Sequence, residues 1–249
     1  MKLLLNRLGL RRNAWGPVPL MLFAAFTEHI ATAAAPGVQA LGSPRALAFA
    51  EYIMSHGERD PLAKAGPVGV LIEASLPDLY KSATLLAVRT PSGNGPGDLH
   101  IVQIAGDGTV AEEVIDRVFT LREQIDRLPV TSLEITPANY KFRFAGEVKT
   151  GGAPAYIYDI TPKKKGPGAV TGKFWMDAAT GHEVMVSGQM TDASMPGGKL
   201  SVVRDTQLLN GVAYVRVTHV NFVVPQVGRA EVAVTEVVLS GAGLIPQSE

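Results

Sequence analysis

Two hydrophobic periods divide the chain. Leu47, Phe49, Ala50, Ile53 and Met54 recur at helical spacing, and Ser43-Pro44 ahead of them offers a capping hydroxyl followed by proline at the first helical position. A helix is predicted from there to about His56-Gly57. A second helix is predicted over residues 110–127, where Val114, Ile115, Val118, Phe119, Leu121 and Ile125 form one apolar stripe and Pro129 sets the limit. Elsewhere the period is two. Residues 68–75, 81–90 and 99–104 read as strands, with a concentrated turn signal over 91–98.

From Tyr140 onward the pattern is almost purely antiparallel β, with strand-like segments near 155–161, 171–177, 183–190, 199–209, 212–222 and 230–239. Turn residues separate them at 165–168, 179–181, 195–198 and 226–228. Asn210-Gly211, between two alternating runs, is the strongest hairpin signal and predicts a tight turn with both residues at positive φ. Short loops favour sequential up-and-down pairing over a Greek key. About ten strands and two helices define a mainly β (α+β) fold: a large antiparallel sheet that must curl, with the helices covering one face. With no internal repeat and no long linker, residues 34–249 read as one domain.

Within this pattern one face stands out. Tyr140, Phe142 and Phe144 alternate with Lys141 and Arg143, so the strand has an aromatic side and a charged side; Phe174 and Met176 supply a similar pair on a later strand. These five residues are predicted to line an apolar pocket on the concave side of the sheet, shielded by the 110–127 helix or by a ligand. The alternative is an ordinary filled core.

The first residues follow a different logic. Lys2, Arg7, Arg11 and Arg12 precede an uncharged stretch over 13–27, and Ala31-Thr32-Ala33 offers small residues before a cut ahead of Ala34. This is the order of a secretory signal peptide spanning residues 1–33, although Pro17, Pro19 and Thr27-Glu28-His29 interrupt it. An uncleaved membrane-surface anchor is the alternative. The apolar run is shorter than the ~20 residues a bilayer span needs. The expected location is therefore the periplasm, as an exported, soluble protein.

Composition narrows the chemistry. Hydrophobic residues make up 46% and charged residues 18%, which suits a core-forming chain. Lys plus Arg equals Asp plus Glu at 23 each, which disfavours a nucleic-acid protein with a basic face and leaves room only for a local patch. Cysteine is absent, which removes disulfides, thiolate metal sites, a cysteine nucleophile and a lipobox-type lipid anchor. The histidines at 29, 56, 100, 182 and 219 show no metal-ligating spacing. Gly168-Ala-Val-Thr-Gly172-Lys173-Phe174 is one residue short of a phosphate loop and leads into a strand rather than a helix. No G-x-S-x-G elbow occurs. Asp159, Asp177, Glu183 and Glu236 could meet across strands as a glycosidase pair does, a coincidence expected among so many acidic residues. Lys163-Lys164-Lys165 reads as a solvated hairpin tip, or as a contact for an anionic lipid or partner. No catalytic residue, metal or cofactor is expected.

The stretch from about Asn139 to Leu239 resembles the outer-membrane lipoprotein-sorting (LolA/LolB-like) group. The likeness is carried by Asn139-Tyr-Lys-Phe-Arg-Phe-Ala-Gly-Glu147, Ala155-Tyr-Ile-Tyr-Asp-Ile-Thr-Pro-Lys-Lys-Lys165 and Gly172-Lys-Phe-Trp-Met-Asp177 with Gly181. Further pieces are Val202-Val-Arg-Asp205, Asn210-Gly-Val212 and Gly228-Arg-Ala-Glu-Val-Ala-Val234. The resemblance implies an unclosed β half-barrel around an apolar cavity plugged by helices. It also implies a carrier that holds lipid acyl chains or a lipoprotein without covalent chemistry. Two other readings stay open: a non-catalytic structural or protein-interaction module of the cell envelope on the same scaffold, and a hydrolase assembled only in three dimensions.

Overall fold

The computed structural model describes residues 43–56, 62, 66–92, 95–150, 153–191, 199–209 and 212–239, all within one unit, Gln39–Glu249. The expected signal peptide, the Asn210-Gly211 turn and the 195–198 turn lie outside the described residues.

Ten strands form one antiparallel sheet: β1 (Val68–Leu76), β2 (Lys81–Ser92), β3 (Gly95–Gly106), β4 (Tyr140–Thr150), β5 (Ala153–Pro162), β6 (Val170–Asp177), β7 (Glu183–Thr191), β8 (Lys199–Leu209), β9 (Val212–Val224) and β10 (Gly228–Val238). The spatial order is β3-β2-β1-β10-β9-β8-β7-β6-β5-β4, so the sheet is open, with β3 and β4 as its edges. Every neighbour is also a neighbour in sequence except β1 and β10, which pair from Val68↔Val238 to Ser75↔Glu231. Up-and-down pairing is thus the rule, and one long-range ladder joins two meanders. The turn signal over 91–98 is narrower than its composition suggests. Strand pairing continues to Ser92↔Gly95, because the bulge at Thr90/Ser92 absorbs the irregular residues into the ladder.

The first helix, α1 (Pro44–His56), begins where its cap predicts: the Ala46 amide donates to Ser43 Oγ at 3.2 Å. The second runs over residues 108–126, starting two residues earlier than its apolar stripe because Asp107 caps it, accepting from Thr109 N and Val110 N at 2.9 and 3.3 Å. Its stretch Ala111–Ile115 is a π turn, and the whole element is called α2 below. A short helix, α3 (Val130–Leu133), follows.

Both helices lie on the same face of the sheet, its inner face, over separate cores. Val110, Val114, Ile115 and Leu121 of α2 pack on β1, β2 and the β8–β10 region through Val68, Ile72, Leu85, Leu200, Phe222 and Val232. Ala48 and Tyr52 of α1 pack with Ile135 on β4–β7 through Tyr140, Tyr158, Ile160, Phe174 and Val186. Partly buried Met190 touches both. The aromatic face is therefore covered by α1, and not by the 110–127 helix, which the sequence offered as its cover beside a ligand. The reason is connectivity: α2 follows β3 and packs back on the adjoining β1–β2 half.

Candidate functional site

The site is an aromatic wall on the inner face of β4–β6. Cross-strand register puts Phe142 opposite Ile160, Phe144 opposite Tyr158, Tyr158 opposite Phe174 and Tyr156 opposite Met176, so Tyr140, Phe142, Phe144, Phe174 and Met176 share one face. The expected grouping is what the structure brings together. Their surroundings differ: Phe174 and Met176 are fully buried, Tyr140 is buried, Phe142 is half-buried, and Phe144 remains 41% exposed.

Period two also predicts Tyr156 and Tyr158, which the sequence reading passed over. Phe49 and Tyr52, on the helix, complete the cluster. Phe142 meets Phe49 edge-on at 5.2 Å and Phe174 at 6.0 Å between ring centroids, and Phe174 meets Tyr52 at 4.9 Å. Phe144 stacks edge-on to Tyr158 at 5.8 Å, with the Arg45 guanidinium 4.3 Å from its ring centroid. The helical signal for Phe49 and Tyr52 was their three-residue spacing, which marks one face without saying what it meets.

Two contacts seat α1. The buried Tyr52 hydroxyl donates to Ile135 O at 2.6 Å. Gly181, in the β6–β7 turn at φ +72°, lies so close to the helix that a Cβ there would stand 2.5 Å from Ala48 O and 3.0 Å from Tyr52 N. Only glycine meets both the left-handed φ and the contact. Burial raises the Tyr52 phenol well above its ordinary pKa, assisted by Glu183 and opposed by Arg204. It likewise raises Tyr140, whose hydroxyl accepts from Val170 N at 3.2 Å, and Tyr158. These phenols stay neutral, and the hydroxyls of Tyr52 and Tyr140 are hydrogen-bonded.

The acidic residues that might have paired do not. Asp159 accepts from Arg143 at 2.7 Å and Lys173 at 3.1 Å; partial burial works against its ionisation, yet these bonds hold its carboxyl below the usual range. Asp177 caps its own turn through Ala179 N and Thr180 N. Glu183 accepts from Arg204 Nε and Nη2, each at 2.8 Å, and Glu236 lies among Arg89, Arg122 and Arg216. Each of the four faces cations or amides, and no two of them face each other as a glycosidase pair does. Among the described residues no cluster of three His, Asp or Glu could hold a metal. Gly168 ends a hairpin loop entering β6, where a phosphate loop would need a helix. An open depression of about 360 Å³ near Gln189, Ser201, Asn221 and Arg229 involves none of the five predicted residues.

The class these features define is an open antiparallel sheet whose inner face carries an aromatic wall under a helix. No family model matches the chain, and no curated protein matches it. Among solved structures it is similar to an outer membrane lipoprotein-sorting protein domain from Vibrio parahaemolyticus: 12% identity, 78% of this chain and 93% of that one, TM-score 0.35. A DUF1329 family protein from Desulfovibrio piger is 12% identical over 81% of this chain and 95% of that one, with a TM-score of 0.37. MucB, solved in complex with MucA(peri), is 11% identical over 78% and 94%, with a TM-score of 0.22. The relation to lipoprotein-sorting domains is one of fold only.

Proposed function

We propose that this chain is an exported binding protein of the cell envelope that holds an apolar chain, such as a lipid acyl chain, against the aromatic wall. The observation that carries this reading is the incomplete cover: one 13-residue helix lies over the wall, and Phe144 stays 41% exposed beside Tyr156 and Tyr158. This exposed ring continues the buried aromatic face to the surface, where an apolar chain can reach it. An incoming chain takes the place of Phe49 and Tyr52, and each buried CH₂ contributes about 0.8 kcal/mol. No bond is made or broken. The test is uptake of a fluorescent fatty-acid probe by the full chain. Wild type is expected to bind at micromolar concentration, and Phe142→Glu to remain folded while losing uptake, since a charge in that space costs several kcal/mol. A stable wild type that takes up no probe refutes the reading.

One observation favours a protein-interaction module instead. Edge strand β3 exposes Leu99, Ile101, Val102 and Ile104 on both of its faces, from 37% to 59%. An unpaired edge with apolar side chains is a template for an added strand of a partner protein.

A further inference from the structure

We propose that the β4 edge of the sheet docks on an anionic bilayer surface, where Lys141, Arg143, Lys173 and the lysines at 163–165 meet lipid phosphates. This goes beyond the carrier reading and stands without it. Charge is balanced at 23 against 23 over the whole chain, yet residues 139–177 hold seven basic side chains against three acidic ones. The fold gathers them at one edge. Period two puts Lys141 and Arg143 on the outer face of β4, away from Phe142 and Phe144. Arg143, Asp159 and Lys173 form one row across β4, β5 and β6. Asp159 accepts from both cations, at 2.7 and 3.1 Å, so the row keeps a surplus positive charge. Lys163, Lys164 and Lys165 are exposed and follow Pro162, which pairs with Tyr140 at the start of β4. The Lys163 amide donates to Asn139 O at 2.7 Å, which holds this hairpin tip beside the edge strand. Among the described residues, Lys141, Lys164 and Lys165 have no ion-pair partner.

Charged side chains on an edge strand commonly guard it against pairing with another chain. The opposite edge does without that guard: β3 carries no Lys, Arg, Asp or Glu from Leu99 to Gly106. Edge protection alone thus does not account for cations spread over two strands and a hairpin tip. What stands among them points to a bilayer. Phe144, on the inner side of the same edge strand, is 41% exposed, and the Arg45 guanidinium lies 4.3 Å from its ring centroid. An exposed ring flanked by cations has the composition of a membrane-interface anchor, with the ring at the acyl boundary and the charges at the phosphates. Lysine makes up six of the seven basic residues in 139–177. Its point charge on a flexible stem suits mobile head groups, whereas a fixed carboxylate on a protein partner favours the arginine fork. Edge-on docking also turns the open border of the aromatic wall toward the lipid.

The experiment places a fluorophore at the tip and asks whether it reaches the head groups. The chain has no cysteine, so a label on Gly166→Cys is unique, and a Cβ at Gly166 meets nothing within 4 Å. The labelled full chain is titrated with vesicles of phosphatidylglycerol and phosphatidylcholine carrying a head-group quencher, and with quencher-bearing vesicles of phosphatidylcholine alone. Quenching is expected on the anionic vesicles only, and high salt should abolish it. Each cation near such a surface contributes about fivefold in affinity, so Lys141→Gln, Lys164→Gln and Lys165→Gln together should weaken the quenching titration roughly a hundredfold. That variant should keep the wild-type Tm and the uptake of a fluorescent fatty-acid probe from solution. Equal quenching on both vesicle types overturns electrostatic docking. Sedimentation with vesicles while the label stays unquenched means that another part of the chain, the basic 1–33 stretch included, makes the contact, and overturns this surface. No vesicle binding alongside binding to polyglutamate assigns the patch to an acidic protein and refutes the bilayer. Probe uptake without docking leaves the carrier reading standing, and docking without uptake refutes that reading alone.

Discussion

Tyr52→Phe separates a helix that competes with ligand from one that is simply core. The substitution keeps the ring against Phe174 at 4.9 Å and removes only the hydroxyl. Its hydroxyl donates to Ile135 O at 2.6 Å in a fully buried setting, so the carbonyl loses that donor. Such a loss costs about 1–3 kcal/mol. The bond ties α1 to the segment before β4, so the cost falls on the seating of α1 as well as on the global fold. If ligand must displace α1, about 1.4 kcal/mol less hold on the helix raises the competent population, and the apparent affinity, about tenfold. The expected result is therefore a lower Tm with tighter probe binding, two changes of opposite sign. Thermal melts and a probe titration on the same preparation measure both. A lower Tm with unchanged affinity refutes competition by α1, and a parallel fall in both makes α1 part of the site.

Gly181→Ala should act in the same direction through a second contact of α1. Its new Cβ meets Ala48 O at 2.5 Å and the φ of +72° is disfavoured for alanine, for a combined loss of roughly 1–3 kcal/mol by urea titration. An unchanged midpoint would show that α1 is not seated on this turn. The buried tyrosines predict alkaline sensitivity. Unfolded tyrosine ionises near about 10, whereas burial raises Tyr52, Tyr140 and Tyr158 in the folded chain. Above that pH the unfolded state holds fewer protons, so stability is complete below it and falls as pH rises. Melts from pH 8 to 11 should show this fall, and it should be shallower in Tyr52→Phe; a flat profile refutes it.

Much of the fold was legible along the chain because its signals are local. Ser43-Pro44 opens α1 where a capping hydroxyl and proline at the first turn require, and period two places Tyr140, Phe142 and Phe144 on one face of β4 with no reference to any other strand. The same rule reaches Tyr156 and Tyr158 on β5. Alternation also marks Arg89 and Glu236 as charges on an inner face, but cannot show that residues 147 positions apart in sequence touch. Tertiary structure decided the β1–β10 ladder, the choice of α1 as the cover of the aromatic wall, and the convergence of three arginines on one carboxylate. A hydrophobic stripe records that a face is buried; what buries it depends on chain connectivity and on the summed packing of distant elements, which no window of neighbouring residues contains.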